Sequence, residues 1–274
     1  MTPVPFRPPR LVATDLDGTV VRPDGTVSPR TAAAFTRLAD AGTELVFVTG
    51  RPPRLMEPIA EAFPGQAMAI CSNGAFVYDL AARTVTRERA IGTDILEEAA
   101  RRLRAAVPGI GLAVEYAHEM AADEVYEPWD WDADTVVHRL DEAALWSRPA
   151  PKLVGRHPVL TEDELVALAR PAIGDLVTVY HANGLRLVEA IAREVSKAHA
   201  LAEYATGLGV LPEEIAAFGD MPNDLPMLDW AGTSYAVANA HPTVLAAADH
   251  VIPSVHADGV AQTLEDLFPA VLPR

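Results

Sequence analysis

Acidic and polar residues gather at three separate points of the sequence, and each group directly follows a run of apolar residues. The groups are Asp15-Leu16-Asp17, Thr49-Gly50-Arg51 and Gly219-Asp220-Met221-Pro222-Asn223-Asp224. If folding brought their carboxylates together, the charges would repel and raise each other's pKa unless a cation neutralised them. Several carboxylate oxygens suit a hard cation such as Mg²⁺ better than zinc. These residues therefore predict a magnesium site.

Buried strands of a parallel sheet are the elements that would bring these groups together. Apolar runs at 10–14, 44–48 and 215–218 end on the three polar groups, and a further run at 67–71 ends on Ser72-Asn73-Gly74. Continuous apolar runs of this length are typical of parallel strands covered on both faces. Ligands of open α/β sheets bind outside the carboxyl ends of the strands. We therefore expect the site at that edge of the sheet.

Helical patterns alternate with these strands. Ser28 before Pro29 predicts the start of a helix, and Gly42 predicts its end. A second helix should be kinked or restarted at Pro58. Alternating strands and helices predict the α/β class, with a doubly wound parallel sheet.

A second domain is predicted within the first, because the apolar runs become shorter and turn residues more frequent from about residue 76. We predict a core at 1–82 and 191–274 and an inserted α+β domain at 83–190, hereafter the insert. Its strands are expected at 84–91, 111–116, 152–155, 176–181 and 185–190, with Asn183-Gly184 as a type I′ hairpin turn. Thr93 is expected to cap one helix, and Thr161 with Glu164 predicts a capping box at the start of another.

The composition excludes several classes of partner. The sequence has 22 basic and 38 acidic residues, a formal charge of −16, and no basic stripe that would suit a nucleic acid. The lack of a long apolar run or a signal peptide predicts a soluble, cytoplasmic protein without membrane contact, and we expect a monomer or small homo-oligomer. Cys71, the single cysteine, is expected to be a buried small side chain.

Lysine is rare in this sequence and occurs only as Lys152 and Lys197, against 20 arginines. The two residue types are not interchangeable, because lysine carries a compact point charge and arginine a planar fork. An acidic chain that binds phosphate also needs local cations. Lys197 is therefore a candidate site residue. Lys152 could reach a substrate anion or be a solvated strand residue.

Four groups of residues, in this order along the chain, resemble the motifs of the haloacid dehalogenase-like (HAD) superfamily. They are Asp15-Leu16-Asp17-Gly18-Thr19, Thr49, Lys197 and Gly219-Asp220-Met221-Pro222-Asn223-Asp224. The insert between the second and third groups resembles the Cof-type branch, as do Ser72-Asn73-Gly74-Ala75, Asn239-Ala240 and Asp258-Gly259-Val260. The resemblance implies a Rossmann-like core, an insert that closes over the site and selects the substrate, and a Mg²⁺-dependent phosphatase of small phosphomonoesters such as sugar phosphates.

The resemblance also implies a catalytic role for several motif residues. Asp15 would be the nucleophile that forms an aspartyl-phosphate. Asp17 would protonate the leaving oxygen and then accept a proton from water, and its spacing from Asp15 should place both carboxylates on the same side. Thr49 and the backbone near Gly50 would bind phosphoryl oxygens. Lys197 would neutralise the phosphoryl group and the nucleophile.

A metal site follows from the same resemblance. Mg²⁺ would be held by Asp15, the backbone carbonyl of Asp17, and Asp220, with Asp224 binding it directly or through a water. Gly18 would permit the sharp turn that this arrangement requires.

Further residues are candidates for contact with phosphate or substrate, namely Arg51, Asn73 and Asn223. For Asn223 two roles are open: it orients Lys197 or Asp224, or it caps the helix that follows. Ala198 stands where the family usually has glycine, which is tolerated if this residue is already helical.

Three functions are compatible with the sequence: a phosphatase, a phosphomutase on hexose phosphates, and a non-catalytic binding module on the same fold. Within the insert, the most unusual segment is Glu127-Pro128-Trp129-Asp130-Trp131-Asp132. Its aromatic rings could stack on a sugar and its acids could bind hydroxyls. The more common role of such a segment is a surface loop or packing between the two domains, because tryptophans mostly pack.

Overall fold

The computed structural model describes residues 8–65, 68–128, 135–182 and 186–269. The strands, in chain order, are β1 (Leu11–Thr14), β2 (Glu44–Val48), β3 (Met68–Cys71), β4 (Phe76–Asp79), β5 (Thr84–Glu88), β6 (Gly111–Glu115), β7 (Met120–Ala122), β8 (Val137–Arg139), β9 (Lys152–Arg156), β10 (Val177–Ala182), β11 (Leu187–Ala192), β12 (Ile215–Gly219), β13 (Thr233–Val237) and β14 (His250–Ile252). The helices are α1 (Pro29–Asp40), α2 (Glu57–Ala62), α3 (Thr93–Ala106), α4 (Glu142–Leu145), α5 (Glu162–Ile173), α6 (Lys197–Gly207), α7 (Leu225–Trp230), α8 (Pro242–Ala247) and α9 (Gly259–Leu267).

The first sheet has the strand order β14-β13-β12-β1-β2-β3-β4-β5. Neighbours from β14 to β3 are parallel, and β4 and β5 extend the edge in antiparallel pairs. The chain leaves the centre in opposite directions, from β1 to β3 and from β12 to β14. Right-handed crossovers then place the connecting helices on opposite faces of the sheet. The predicted α/β, doubly wound sheet is confirmed.

The strand β5 lies in a different sheet from the one expected. The sequence predicts residues 84–91 as a strand of the insert, whereas β5 pairs with β4 at the edge of the first sheet. That expectation is wrong, because the β4–β5 hairpin continues the hydrogen-bonded ladder that begins at β3. The division of the chain at residues 83 and 190 remains a prediction.

The second sheet has the order β10-β11-β9-β6-β7-β8 and is antiparallel except for the pair β7 and β8. Helices α3 and α5 contact each other, and α5 contacts β10 and β11. Apolar residues of these elements form a core separate from that of the first sheet. The predicted hairpin of β10 and β11 is confirmed, while its predicted turn, Asn183-Gly184, lies outside the described residues.

Helix starts follow local rules that the sequence makes visible. Ser28 caps α1 through its side-chain oxygen, and Thr161 with Glu164 forms the predicted capping box of α5. Pro58 lies in the first turn of α2, which restarts the helix after a short 3₁₀ turn, as predicted. Thr93 is not a cap, because it is already the first helical residue of α3.

The core around the first sheet contains a cluster of three phenylalanine rings. Phe35, Phe47 and Phe63 have ring centroids 5.1 to 6.0 Å apart. Truncating one such ring to alanine typically costs about 3–5 kcal/mol, so this cluster anchors α1 to the sheet. Cys71 is fully buried, as predicted. In the described residues, none of the helices has both the length and the apolar character needed to span a bilayer.

Candidate active site

Three carboxylates meet where β1 and β12 end. The two strands are parallel neighbours with Thr14 opposite Phe218, and the backbone N–H of Asp15 donates to the Phe218 carbonyl at 3.0 Å. The loops that follow therefore start side by side. Carboxylate oxygens of Asp15, Asp220 and Asp224 lie within 4.8 Å of one another. The structure thus brings these predicted site residues together.

Lys197 adds a buried cation to this cluster. Its Nζ lies 2.5 Å from Oδ1 of Asp15 and 2.7 Å from Oδ1 of Asp224, and its side chain is 1% exposed. The residue is the first of α6, directly after the N-cap Ser196. Ala198 is therefore helical, which is the condition under which the sequence tolerates it in place of glycine.

The loop after β12 wraps around the Asp224 carboxylate. Its Oδ2 accepts hydrogen bonds from the backbone N–H groups of Asp220 at 3.1 Å and Met221 at 3.0 Å. Gly219 permits this approach, since a Cβ there would lie 2.7 Å from Cβ of Asp224. One oxygen of Asp224 is thus fixed by backbone and the other by Lys197.

The turn after Asp15 is shaped by Gly18, whose φ is +84°. A Cβ at this position would overlap Oδ2 of Asp220, so glycine is required for both conformation and space. Two residues without an assigned role support the turn: Nδ2 of Asn239 donates to the Gly18 carbonyl at 2.8 Å, and Oγ1 of Thr19 donates to Asp220 at 3.3 Å. The available signal for Asn239 is that Asn239-Ala240 belongs to the segments that resemble the family.

Burial changes the ionisation of the cluster. Burial, and then the charge of Asp224, raises the pKa of Asp220 from 3.8 to about 7. Burial also raises the pKa of Asp15 well above its ordinary value, and Lys197 offsets only part of this effect. For Lys197, burial lowers the pKa, but Asp15 and Asp224 together raise it above the ordinary value.

The charge and the donor types of the cluster fit a divalent hard cation. When ionised, its three carboxylates and one ammonium carry a net charge of −2, which Mg²⁺ would neutralise. All three side chains offer oxygen ligands, the type that Mg²⁺ prefers.

Asp17 lies at the same edge in different surroundings. Its side chain is 56% exposed, whereas Asp15 is buried. Arg51 binds both of its oxygens, with Nε 2.8 Å from Oδ2 and Nη2 2.5 Å from Oδ1. Among the described residues, the Asp17 carboxylate is not part of the group that could hold a metal. Arg51, expected to bind phosphate or substrate, is here the partner of Asp17.

Thr49 and Gly50 follow β2 at this edge. Thr49 is fully buried, and its Oγ1 accepts a hydrogen bond from the backbone N–H of Arg51 at 3.1 Å. Within the described ranges, its own hydroxyl proton has no acceptor. The proton of the Thr49 hydroxyl is therefore available to a ligand. The Gly50 carbonyl accepts a hydrogen bond from Nζ of Lys152 at 3.4 Å.

Asn73 and Asn223 link the loops that follow β3 and β12. The backbone N–H of Asn73 donates to the Thr49 carbonyl at 2.9 Å, and Nδ2 of Asn223 donates to Oδ1 of Asn73 at 3.0 Å. Of the two roles left open for Asn223, the helix cap is wrong and the orienting role remains a prediction. Its described hydrogen bond goes to Asn73 rather than to Lys197 or Asp224, and the N-cap position of α7 is Asp224.

Two expectations for the insert have different outcomes. Lys152 is 1% exposed, with Nζ 2.8 Å from Glu115 and 2.9 Å from Glu189, so the prediction of a solvated strand residue is wrong. The reason is that β6, β9 and β11 are adjacent in the second sheet and place the three side chains together. Of the segment at 127–132, residues 129–132 lie outside the described residues.

Comparison with known proteins agrees with the family resemblance of the motifs. The sequence profile of the haloacid dehalogenase-like hydrolases matches residues 12–264. The chain belongs to this family.

Individual haloacid dehalogenase-like relatives resemble the chain over most of its length. The pyridoxal phosphate phosphatase YbhA of Escherichia coli (strain K12) is 30% identical over 271 residues, covering 92% of this chain and 96% of that protein. A phosphoglycolate phosphatase of Halorubrum lacusprofundi is 31% identical over 258 residues, covering 93% and 96%. A solved phosphatase structure of the haloalkanoate (HAD) superfamily from Bacteroides thetaiotaomicron has a TM-score of 0.81 at 22% identity, covering 97% and 98%, and shows the same fold. The chain is a phosphatase of this family, a phosphoric monoester hydrolase.

Proposed function

We propose that the protein is a Mg²⁺-dependent phosphatase that hydrolyses small phosphomonoesters through an aspartyl-phosphate on Asp15. The observation that carries this proposal is the asymmetric environment of the Asp15 carboxylate. Lys197 holds Oδ1 at 2.5 Å, whereas no described residue donates a hydrogen bond to Oδ2. A carboxylate fixed through one oxygen presents the other to an incoming phosphorus atom.

In the first step, Oδ2 of Asp15 attacks phosphorus and the bond to the leaving oxygen breaks. Asp17 donates a proton to that oxygen, so the leaving group departs as a neutral alcohol. Charge develops on the phosphoryl oxygens during this step. The hydroxyl of Thr49 and the ammonium of Lys197 are the donors at this edge that would stabilise it.

In the second step, Asp17 accepts a proton from the water that attacks the phosphorus of the aspartyl-phosphate, and Asp15 is released. Both oxygens of Asp17 are bound by Arg51 in this structure. Arg51 must therefore release at least one of them before Asp17 can serve the substrate. A guanidinium so close to the site could then bind a substrate oxygen, as the sequence predicts for Arg51.

Four groups would hold the metal, namely the side chains of Asp15, Asp220 and Asp224 and the backbone carbonyl of Asp17. When bound, Mg²⁺ would neutralise the carboxylates and polarise the phosphoryl group. Gly18 and Asn239 support this proposal, because they fix the turn that carries the Asp17 carbonyl.

Sugar phosphates or similar small metabolites are the proposed substrates. The named relatives act on pyridoxal phosphate and on phosphoglycolate, so their leaving groups differ while the phosphoryl group is shared. In this chain the insert would select the leaving group. A cytoplasmic location and a monomeric or small homo-oligomeric state remain predictions from the sequence.

The test is hydrolysis of a chromogenic phosphate ester with and without Mg²⁺, followed by a panel of phosphorylated metabolites. We expect the wild type to hydrolyse the ester in Mg²⁺ and to lose this activity in EDTA. The Asp15→Asn variant should be inactive even in Mg²⁺. Asp229→Asn, an exposed carboxylate on α7, is the matched control and should keep full activity. Unchanged hydrolysis in Asp15→Asn would remove Asp15 from the mechanism. Product analysis with hexose 1-phosphates would separate phosphate release from transfer to a second hydroxyl.

A further inference from the structure

A buried ion cluster lies on the second sheet, and none of its residues has a role in the proposed mechanism. Lys152 on β9 is 1% exposed, and its Nζ lies 2.8 Å from Oε2 of Glu115 and 2.9 Å from Oε1 of Glu189. Burial alone would lower the pKa of Lys152, but the two carboxylates raise it above its ordinary value. The insert therefore holds a fixed ammonium charge away from water.

This cluster touches the loop that follows β2 in the first sheet. Nζ of Lys152 donates to the Gly50 carbonyl at 3.4 Å. Arg54, which follows the same loop, also contacts the second sheet. Its Nη2 lies 2.8 Å from Oε1 of Glu115, and its backbone N–H donates to the Ala117 carbonyl at 2.9 Å. The contact of Lys152 with Gly50 thus exists only while the insert lies against this loop.

A series of hydrogen bonds leads from Lys152 to the phosphate-binding edge. The peptide unit whose carbonyl belongs to Gly50 carries the N–H of Arg51, and that N–H donates to Oγ1 of Thr49 at 3.1 Å. Hydrogen bonds in series polarise one another, most strongly in a buried, low-dielectric setting. A cation at the carbonyl strengthens the N–H as a donor, and this makes the Thr49 hydroxyl a better donor in turn.

We propose that Lys152 is a positioning residue for catalysis, which acts through the Gly50–Arg51 peptide to fix the Thr49 hydroxyl for donation to the phosphoryl group. The inference rests on the proposed function of Thr49 as a phosphoryl ligand. Because the charge sits on the insert, closing the insert over the core would also complete the phosphoryl site.

Direct binding of substrate by Lys152 is a competing explanation. Nζ of Lys152 donates to Glu189 and to the Gly50 carbonyl and forms an ion pair with Glu115, and its side chain is only 1% exposed. A substrate oxygen could reach this buried ammonium group only if one of these contacts broke. The geometry therefore favours action through the peptide over direct contact.

The experiment is a double-mutant cycle of Lys152→Met and Thr49→Val, measured with two phosphomonoesters that differ in leaving group. In the wild-type background, Lys152→Met should lower kcat about tenfold for both substrates, with KM changed less than about twofold. In the Thr49→Val background, the same substitution should cost less than about twofold, because the hydroxyl that it acts on is gone. Arg104→Met is the matched control, since it breaks an ion pair of the insert with Asp123, 3.0 Å long, that lies outside this series.

Three outcomes would overturn the inference. They are an equal loss in both Thr49 backgrounds, a loss that depends on the leaving group, and no loss at all. If Lys152→Met does not fold, the pair Lys152→Met with Glu189→Gln removes one cation and one anion together, and it replaces the single variant in the cycle.

Binding of inorganic phosphate separates this inference from the proposed function. Calorimetry in Mg²⁺ should show that Lys152→Met weakens phosphate affinity when Thr49 is present and not when it is valine. Wild-type protein that binds phosphate with this pattern but does not turn over esters would contradict the proposed function alone. Phosphate affinity that is unchanged by Lys152→Met, in an enzyme that does turn over, would contradict the inference alone.

Discussion

Asp220→Asn tests the charge balance of the carboxylate cluster in the metal-free protein. Burial, and then Asp224, raises the pKa of Asp220 from 3.8 to about 7 in the folded state. The folded protein therefore binds this proton more tightly than the unfolded chain. The stability that protonated Asp220 contributes is complete below its pKa in the unfolded chain, and it is lost as the pH rises through its pKa in the folded protein. Each pH unit in this window corresponds to about 1.4 kcal/mol, or about 4 kcal/mol in total.

The assay is urea unfolding in EDTA at a series of pH values. Between about pH 5 and pH 7, the free energy of unfolding of the wild type should fall by about 2 kcal/mol relative to Asp220→Asn, which has no proton to lose. Asp229→Asn, exposed on α7, is the matched control and should follow the wild type. Parallel curves for the wild type and Asp220→Asn would refute the reasoning.

Mg²⁺ should reverse this pH dependence in the wild type. The cation binds ionised carboxylates and only the folded protein assembles them, so its stabilising effect should grow as the pH rises. Asp220→Asn should lose most of the effect. A wild type whose unfolding midpoint in Mg²⁺ equals that in EDTA at about pH 8 would contradict the proposed metal site.

Three further substitutions separate the site from its scaffold. Gly219→Ala places a Cβ 2.7 Å from that of Asp224 and should lower kcat at least about tenfold in steady-state assays. Gly207→Ala is the control, because an added Cβ there would have no neighbour within 4 Å, and it should leave kcat unchanged. Equal kcat values for the two variants would contradict the crowding argument. Thr161→Ala removes the capping box of α5 and should lower the free energy of unfolding by about 1 kcal/mol with kcat unchanged. Arg51→Gln breaks a partly exposed ion pair with Asp17 and should lower the free energy of unfolding in urea by less than about 1 kcal/mol. It should nevertheless lower kcat more than about fivefold. A smaller change in kcat would show that Arg51 does not position the Asp17 carboxylate.

The parts of the fold that sequence predicts are those specified by local pattern. β2 is a continuous apolar run and occupies the predicted residues, and Ser28 caps its helix through a bond within one turn. The meeting of Asp15 with Asp220 also follows, because parallel neighbouring strands end at one edge. Such features need no knowledge of distant partners.

The parts that sequence does not predict depend on contacts between distant segments. The bond of Asn223 to Asn73 joins residues 150 positions apart, in loops whose separation only the folded sheet sets. The burial of Lys152 depends on the order of β6, β9 and β11, which a strand pattern alone does not specify. β5 likewise has the pattern of any short polar strand, and its sheet is decided by the free edge that it joins.

Covalent phosphorylation of Asp15 tests the central claim most directly. Asp17→Asn should accumulate the intermediate with a chromogenic ester, because an activated leaving group needs no proton whereas the attacking water still needs a base. Mass spectrometry after a rapid acid quench should then find one phosphoryl group on the peptide that contains Asp15, absent when Asp15→Asn is added. Turnover without this label, or a phosphoryl group on any other residue, would contradict the assignment of Asp15 as the nucleophile.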